Sequence, residues 1–160
     1  MSNKNDAMKA LELKVPPVAL VAIVAASMWA LSRISPNLYF TSPGVAWLSA
    51  GIALVGVCIV VLGVLEFRVA KTTVDPRVPD QSATLVVRGV YRHSRNPMYL
   101  GFLLVLCGWG LFLGNAFSLL FLPAFIIYMN RFQIVPEEQF MSEKFGESYT
   151  NYRSEVRRWA

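Results

Sequence analysis

Histidine, cysteine and charge are scarce in this chain, and each scarcity removes a class of function. There is one histidine, His93, and there are two cysteines, Cys58 and Cys107. No Cys, His and carboxylate set has the spacing of a zinc site, so no metal is expected. Both cysteines lie in apolar runs, where a thiol acts as a small hydrophobe and a disulfide framework is not expected. No Gly-x-Gly-x-x-Gly follows a strand and there is no Walker loop, which removes the common soluble nucleotide-binding folds. The chain also has no internal repeat and no low-complexity tract.

Charge is missing from three long stretches, residues 15–32, 34–65 and 96–130. With 55% hydrophobic residues and a mean hydropathy of +0.46, a chain of 160 residues has more apolar surface than one soluble domain can bury. The surplus must face lipid. A spanning helix needs roughly 20 apolar residues to cross about 30 Å of hydrocarbon. The first stretch supports one span and the second supports another over 45–65, after a loop with Pro36, Asn37, Pro43 and Gly44. The third is too long for a single span at about 1.5 Å per residue. It reads as a short antiparallel hairpin, 98–113 and 116–129, broken at Gly114-Asn115, with Pro123 kinking the second arm.

Four spans place both termini on one side, together with every Lys and Arg of the 15 except Arg33. Such a bias marks that side as cytoplasmic, in the manner of a bacterial inner membrane. The net charge of +5 is then explained by topology and by anionic headgroups, and nucleic acid is not expected as a partner. Residues 1–14 form a polar lead unlike a cleaved signal peptide. After Arg131 an amphipathic pattern follows, with Met141, Phe145, Tyr149, Tyr152, Val156 and Trp159 along one helix face, interrupted by Gly146. The expected fold class is all-α and integral to the membrane: four transmembrane helices with a C-terminal hairpin and a cytoplasmic amphipathic helix. It forms one domain, with the lead, two spans over 15–71 and a core over 72–160.

The polar residues cluster at the mouth of the hairpin. Arg88, Tyr91, Arg92, His93, Arg95, Asn96 and Tyr99 crowd a short segment before a helix whose free N-terminal amides can bind an anion. Taken singly, each has a plain role: Asn96-Pro97 as a helix start, the tyrosines as interface residues, the arginines as topology signals. Their crowding points instead to a site for a charged, adenine-bearing small molecule. Beyond the hairpin, Glu137 and Glu138 follow Pro136 in a helix's first turn. Neighbours on a helix point about 100° apart, so one carboxylate can face a ligand while the other holds the helix. Gly110 and Gly114 match a small-xxx-small packing pattern, compatible with a homodimer without establishing one.

Gly89-Val90-Tyr91, Arg95-Asn96-Pro97-Met98-Tyr99-Leu100-Gly101, Glu137-Glu138, Phe145-Gly146, Tyr149, Tyr152 and Val156-Arg157-Arg158-Trp159 together resemble a family of integral-membrane methyltransferases. That family includes isoprenylcysteine carboxyl methyltransferases and phosphatidylethanolamine N-methyltransferases. The resemblance covers residues 72–159 and implies S-adenosylmethionine as cofactor. It would be lined by Ala83, Thr84, Leu85 and Val86, then by Tyr91, Asn96, Pro97, Met98 and Tyr99, then by Glu137 with Glu138 beside it. Glu137, Arg95 and Tyr99 are the residues expected to serve the reaction. Where isoprenylcysteine enzymes have a substrate-contacting arginine this chain has Gln133, with Arg131 two positions away, and both are expected at a lipophilic methyl acceptor. A membrane reductase using NADPH and a small four-helix transporter are the alternative readings.

Overall fold

The computed structural model describes residues 12–35, 42–71 and 84–160. Among them lie α1 (Pro17–Ile34), α2 (Pro43–Val69), α3 (Pro97–Leu113), α4 (Phe121–Met129), α5 (Val135–Phe145) and α6 (Glu147–Glu155). A 3-10 turn at Gly89–Arg92 precedes α3, a second at Ala116–Leu120 precedes α4, and a π turn at Asn130–Ile134 joins α4 to α5. No strand forms among the described residues, as an all-α chain requires. The expected loop residues Pro36 and Asn37 lie outside them.

Among the described residues, three helical runs are long and apolar enough to cross a bilayer: Pro17–Ile34, Gly44–Val69 and Ala116–Phe145. The expectation of four spans is thus met only in part. With 17 residues, α3 reaches about 25 Å at 1.5 Å per residue, short of the hydrocarbon thickness. The second span is longer than expected, because nothing stops a helix at Leu65 when Glu66 and Arg68 can continue it toward water. The second hairpin arm does not stop at Met129 either. It runs on through the π turn to Phe145, 30 residues from Ala116. Pro123 stands in the first turn of α4, where a missing N–H costs least.

The described residues fall into two compact units. One joins residues 17–61 and 98–127 and holds most of the spanning helices. Here α2 and α3 touch backbone to backbone. A Cβ on Gly56 would lie 2.6 Å from the Gly101 carbonyl oxygen, one on Gly101 equally close to that of Gly56, and one on Gly108 equally close to that of Ser49. Lipid tails are as apolar as leucine, so such close packing holds helices together where a hydrophobic drive is absent. Gly110 faces Met28 and Leu119, and Gly114, at φ +62°, makes the turn. Asn115 then caps the next helical turn by accepting from the Ser118 N–H. Buried side chains tie this turn to α1: Ser118 Oγ donates to the Met28 carbonyl at 2.9 Å and Trp109 Nε1 to that of Ala25 at 3.0 Å. Outward-facing residues such as Trp47, Leu54 and Val61 are exposed and apolar, as a lipid-facing surface must be.

The other unit joins the described parts of residues 1–16, 62–97 and 128–160. The amphipathic helix expected after Arg131 is two helices. Gly146, at φ +53°, ends α5 and starts α6. Tyr149 and Tyr152 form the buried face of α6, but the chain turns extended at Val156, so Trp159 leaves the helical stripe. Its indole N–H donates instead to Asn130 Oδ1 at 3.1 Å.

The close contact at Gly101 gives a direct test. Gly101→Val is expected to lower stability by about 1–3 kcal/mol through overpacking, read as a lower Tm in detergent, whereas Gly51→Ala, whose Cβ meets nothing within 4 Å, should leave Tm unchanged.

Candidate functional site

The polar unit is organised around Glu138. Its Oε1 accepts from Arg95 Nη2 at 2.8 Å and Arg158 Nε at 3.1 Å, and its Oε2 from Arg158 Nη2 at 2.6 Å. Arg95 also ends α6: Nη1 donates to the carbonyls of Arg153 and Val156 at 3.0 and 2.6 Å, which suits a cation at a helix C-terminus. The neighbouring residues repeat the tie. Arg95 N–H donates to the Arg157 carbonyl at 2.9 Å, and Ser94 Oγ and Asn96 Nδ2 both donate to that of Arg158. A short loop, the first turn of α5 and the C-terminal tail are fixed together by one carboxylate and two guanidinium groups.

Beside this network stands Tyr91, only 5% exposed. Its carbonyl accepts from Tyr152 Oη at 2.7 Å, and its ring meets Phe67 edge-on at 5.4 Å. Its own hydroxyl is buried with no hydrogen-bond partner among the described residues. Burial pushes the phenol far above its ordinary pKa, and Tyr152, Glu137 and Glu66 push it the same way electrostatically. The group is therefore a neutral O–H with Glu137 in its field. Gly89 opens this turn at φ +58°, and a Cβ there would collide with the Glu66 carboxylate, which Arg88 Nε holds at 2.9 Å. Glycine is demanded twice over at that position.

An open groove of about 660 Å³ runs past Tyr152, lined by Leu85, Val87, Arg92, Ser148, Glu155 and Val156. Among the expected cofactor residues, Leu85 faces this groove, Val86 is buried and Thr84 is exposed. Ala83 lies outside the described residues. Tyr91, Arg95, Asn96, Pro97, Glu137 and Glu138 belong to the same unit, together with Arg131 and Gln133. Met98 and Tyr99 fall in the other one, where Tyr99 is buried with its ring tilted against Phe102. Glu138 is the carboxylate that holds the helix. Glu137 is half-buried beside it.

Sequence reasoning missed the role of Arg158, which it counted only among the cations on the cytoplasmic side. The signal was available in part: Val156 to Trp159 belonged to the residues carrying the resemblance.

These elements correspond to a known family. The family model for phospholipid methyltransferases matches residues 45–148. This chain belongs to that family. As a phospholipid methyltransferase family member it is similar, at 47% identity over 62 residues, to an uncharacterized protein of Haemophilus influenzae, covering 39% of this chain and 98% of that one. It is also similar, at 35% identity over 72 residues, to the protein-S-isoprenylcysteine O-methyltransferase of Schizosaccharomyces pombe. That match covers 45% of this chain and 30% of the yeast enzyme. No solved structure matches. Family and relative together mark a methyltransferase, and the apolar helices mark an integral membrane protein.

Two outcomes test the site's construction. Glu138→Ala strands Arg95, whose side chain is 10% exposed, and is expected to cost about 3–5 kcal/mol; Arg158→Ala, at a side chain 32% exposed, should cost clearly less, both read from thermal unfolding in detergent. A second test uses alkali. Burial, with help from the Glu138 charge, pushes Tyr149 up to about 12 from its ordinary 10.0. The unfolded chain thus releases this proton first as pH rises, so the Tyr149 contribution to stability should be lost from pH 10 up to about 12, where the native phenol ionises, while Tyr91 and Tyr152, pushed higher still by burial, go on lowering stability above that. Tyr149→Phe should flatten the slope between pH 10 and about 12.

Proposed function

We propose that this protein transfers the methyl group of S-adenosylmethionine to a lipophilic acceptor drawn from the bilayer, working on the cytoplasmic face. The observation that carries this reading is the orphaned Tyr91 hydroxyl in the field of Glu137. A buried polar group without a partner costs roughly 1–3 kcal/mol, a cost a ligand with a hydrogen-bonding atom at that point removes. When bound, the cofactor supplies an activated methyl on a positively charged sulfur, so the protein needs no strong nucleophile of its own.

What this chain must do is orient and exclude. Methyl transfer is an in-line displacement, and alignment of the two reactants supplies most of the rate. Tyr91 Oη offers one neutral hydrogen bond. Glu137 offers a carboxylate for hydroxyl or ammonium donors of the cofactor, and it is placed there because Glu138, one residue on, is pinned by Arg95 and Arg158. Arg92, at the groove, is a further cation for a ligand carboxylate. Leu85 and Val86 supply the apolar wall an adenine ring needs.

Titration of the purified protein with S-adenosylhomocysteine, NADPH and a hydrophobic cation by calorimetry discriminates this reading from a reductase and a transporter. Binding of the first alone is expected. Tyr91→Phe should weaken it by about fivefold or more, the worth of one buried hydrogen bond, with Tm unchanged or raised because the orphan is gone. Binding of NADPH with no response to S-adenosylhomocysteine would refute the proposal.

A further inference from the structure

Pro136 has no N–H, so the Phe132 carbonyl four residues earlier lacks its α-helical donor. The helix answers with the π turn at Asn130–Ile134, in which the Val135 N–H reaches back five residues to the Asn130 carbonyl. The Phe132 carbonyl takes its donor from far away in the sequence, the Leu13 N–H at 3.0 Å. Its neighbours hold the same segment, Arg131 Nη1 donating to Glu12 Oε1 and Gln133 Nε2 to the Val15 carbonyl, each at 2.8 Å. Consecutive residues of the turn thus grip one short stretch, Glu12 to Val15, ahead of α1, and all of them belong to the polar unit. Leu13 is held there at φ +58°, a conformation a leucine keeps only when its surroundings over-determine it.

Glu137 follows in the first turn of α5, between two anchorages. On its far side Glu138 is pinned by Arg95 and Arg158, and on its near side the turn is closed by the Glu12 to Val15 segment. A helix pinned at one residue can still turn about its axis, and trading the π turn for an α turn would rotate every later residue by about 100°. Two pins fix the angle. We infer that residues Glu12 to Val15 are a positioning strap for Glu137: seated on the π turn, they set the direction in which its carboxylate meets the methyl donor, and unseated they release it. Within the methyltransferase reading, on which this rests, the strap touches neither reactant and acts only through the helix it steadies. The strain at Leu13 opposes seating, so the strap is closed by its bonds to the turn and not by local preference.

Full-length protein in detergent is titrated with S-adenosylhomocysteine by calorimetry, with Tm measured alongside. Leu13→Pro removes the N–H and forbids a positive φ, and is expected to weaken binding about fivefold or more. Glu137→Ala should weaken it as well, and Leu13→Pro added to Glu137→Ala should cost less than about twofold further, because the strap acts through that carboxylate. A role in stability alone would lower Tm in both backgrounds and show no such coupling. Lys14→Ala, at an exposed position of the same segment, should change neither affinity nor Tm. If Leu13→Pro folds poorly, reversing charges decides. Arg131→Glu, at an ion pair whose side chains are 41% and 24% exposed, should weaken binding about two- to fivefold, and Glu12→Arg added to it should restore the affinity. Equal losses with and without the Glu137 side chain, wild-type affinity in Glu137→Ala or in a folded Leu13→Pro, or no restoration in the charge-swapped pair overturns the strap's role and leaves the methyl-donor reading standing. Failure of the wild type to bind S-adenosylhomocysteine overturns that reading, and the strap's role with it.

Discussion

A carboxylate taken out of water must be met by charge and by hydrogen bonds, and Glu138, with its side chain 9% exposed, is met by both. Burying an ion costs several kcal/mol after relaxation, so geometry decides whether such a group is tolerated. Here two guanidinium groups supply three bonds, and Arg95 Nη1 goes to carbonyls at the end of α6 that a helix terminus leaves without donors. The ion pair and the helix cap solve each other's problem. The loop before α3 and the C-terminal tail are both tied into this arrangement.

A second constraint is negative: Pro136 withholds a donor. One missing N–H in a long helix forces either a kink or an outside partner, and this chain takes the outside partner from residues far away in sequence. The π turn that results shifts α5 relative to an uninterrupted helix. Such an insertion rotates every later side chain by about 100°, so the facing of Glu137 and Glu138 is set by the turn and not by the apolar periodicity of α4. That is why periodicity could not say which glutamate holds the helix.

Much of the fold was legible because the physics is local. Charge-free runs marked the spans, and Gly114-Asn115 marked the hairpin break, since a positive φ and a side-chain cap are properties of those two residues. Of the paired glutamates, Glu138 is the one that holds its helix in place. What stayed hidden was non-local. Nothing near Arg158 says that it meets Glu138, and nothing near Glu12 says that it meets Arg131. Trp159 keeps the helical spacing of Tyr152 and Val156 in sequence but leaves the helix, because Arg95 ends α6 by taking its last carbonyls. The Gly110 and Gly114 pair looked like a packing motif, yet the close helix contact is made by Gly56, Gly101 and Gly108.

The residues that carry the family resemblance now divide by what they touch. Arg95, Asn96, Tyr152, Arg158 and Trp159 are each spent on a bond within the polar unit. Gly89 is spent on a backbone turn under Glu66. That proportion follows from the chemistry a methyltransferase performs. In the reading proposed above, a reactive sulfonium needs no protein nucleophile, only two reactants held in line, and alignment is kept by many ties and not by one strong contact. A sequence selected for such a reaction should therefore devote most of its recognisable residues to rigidity and leave few for the ligands themselves.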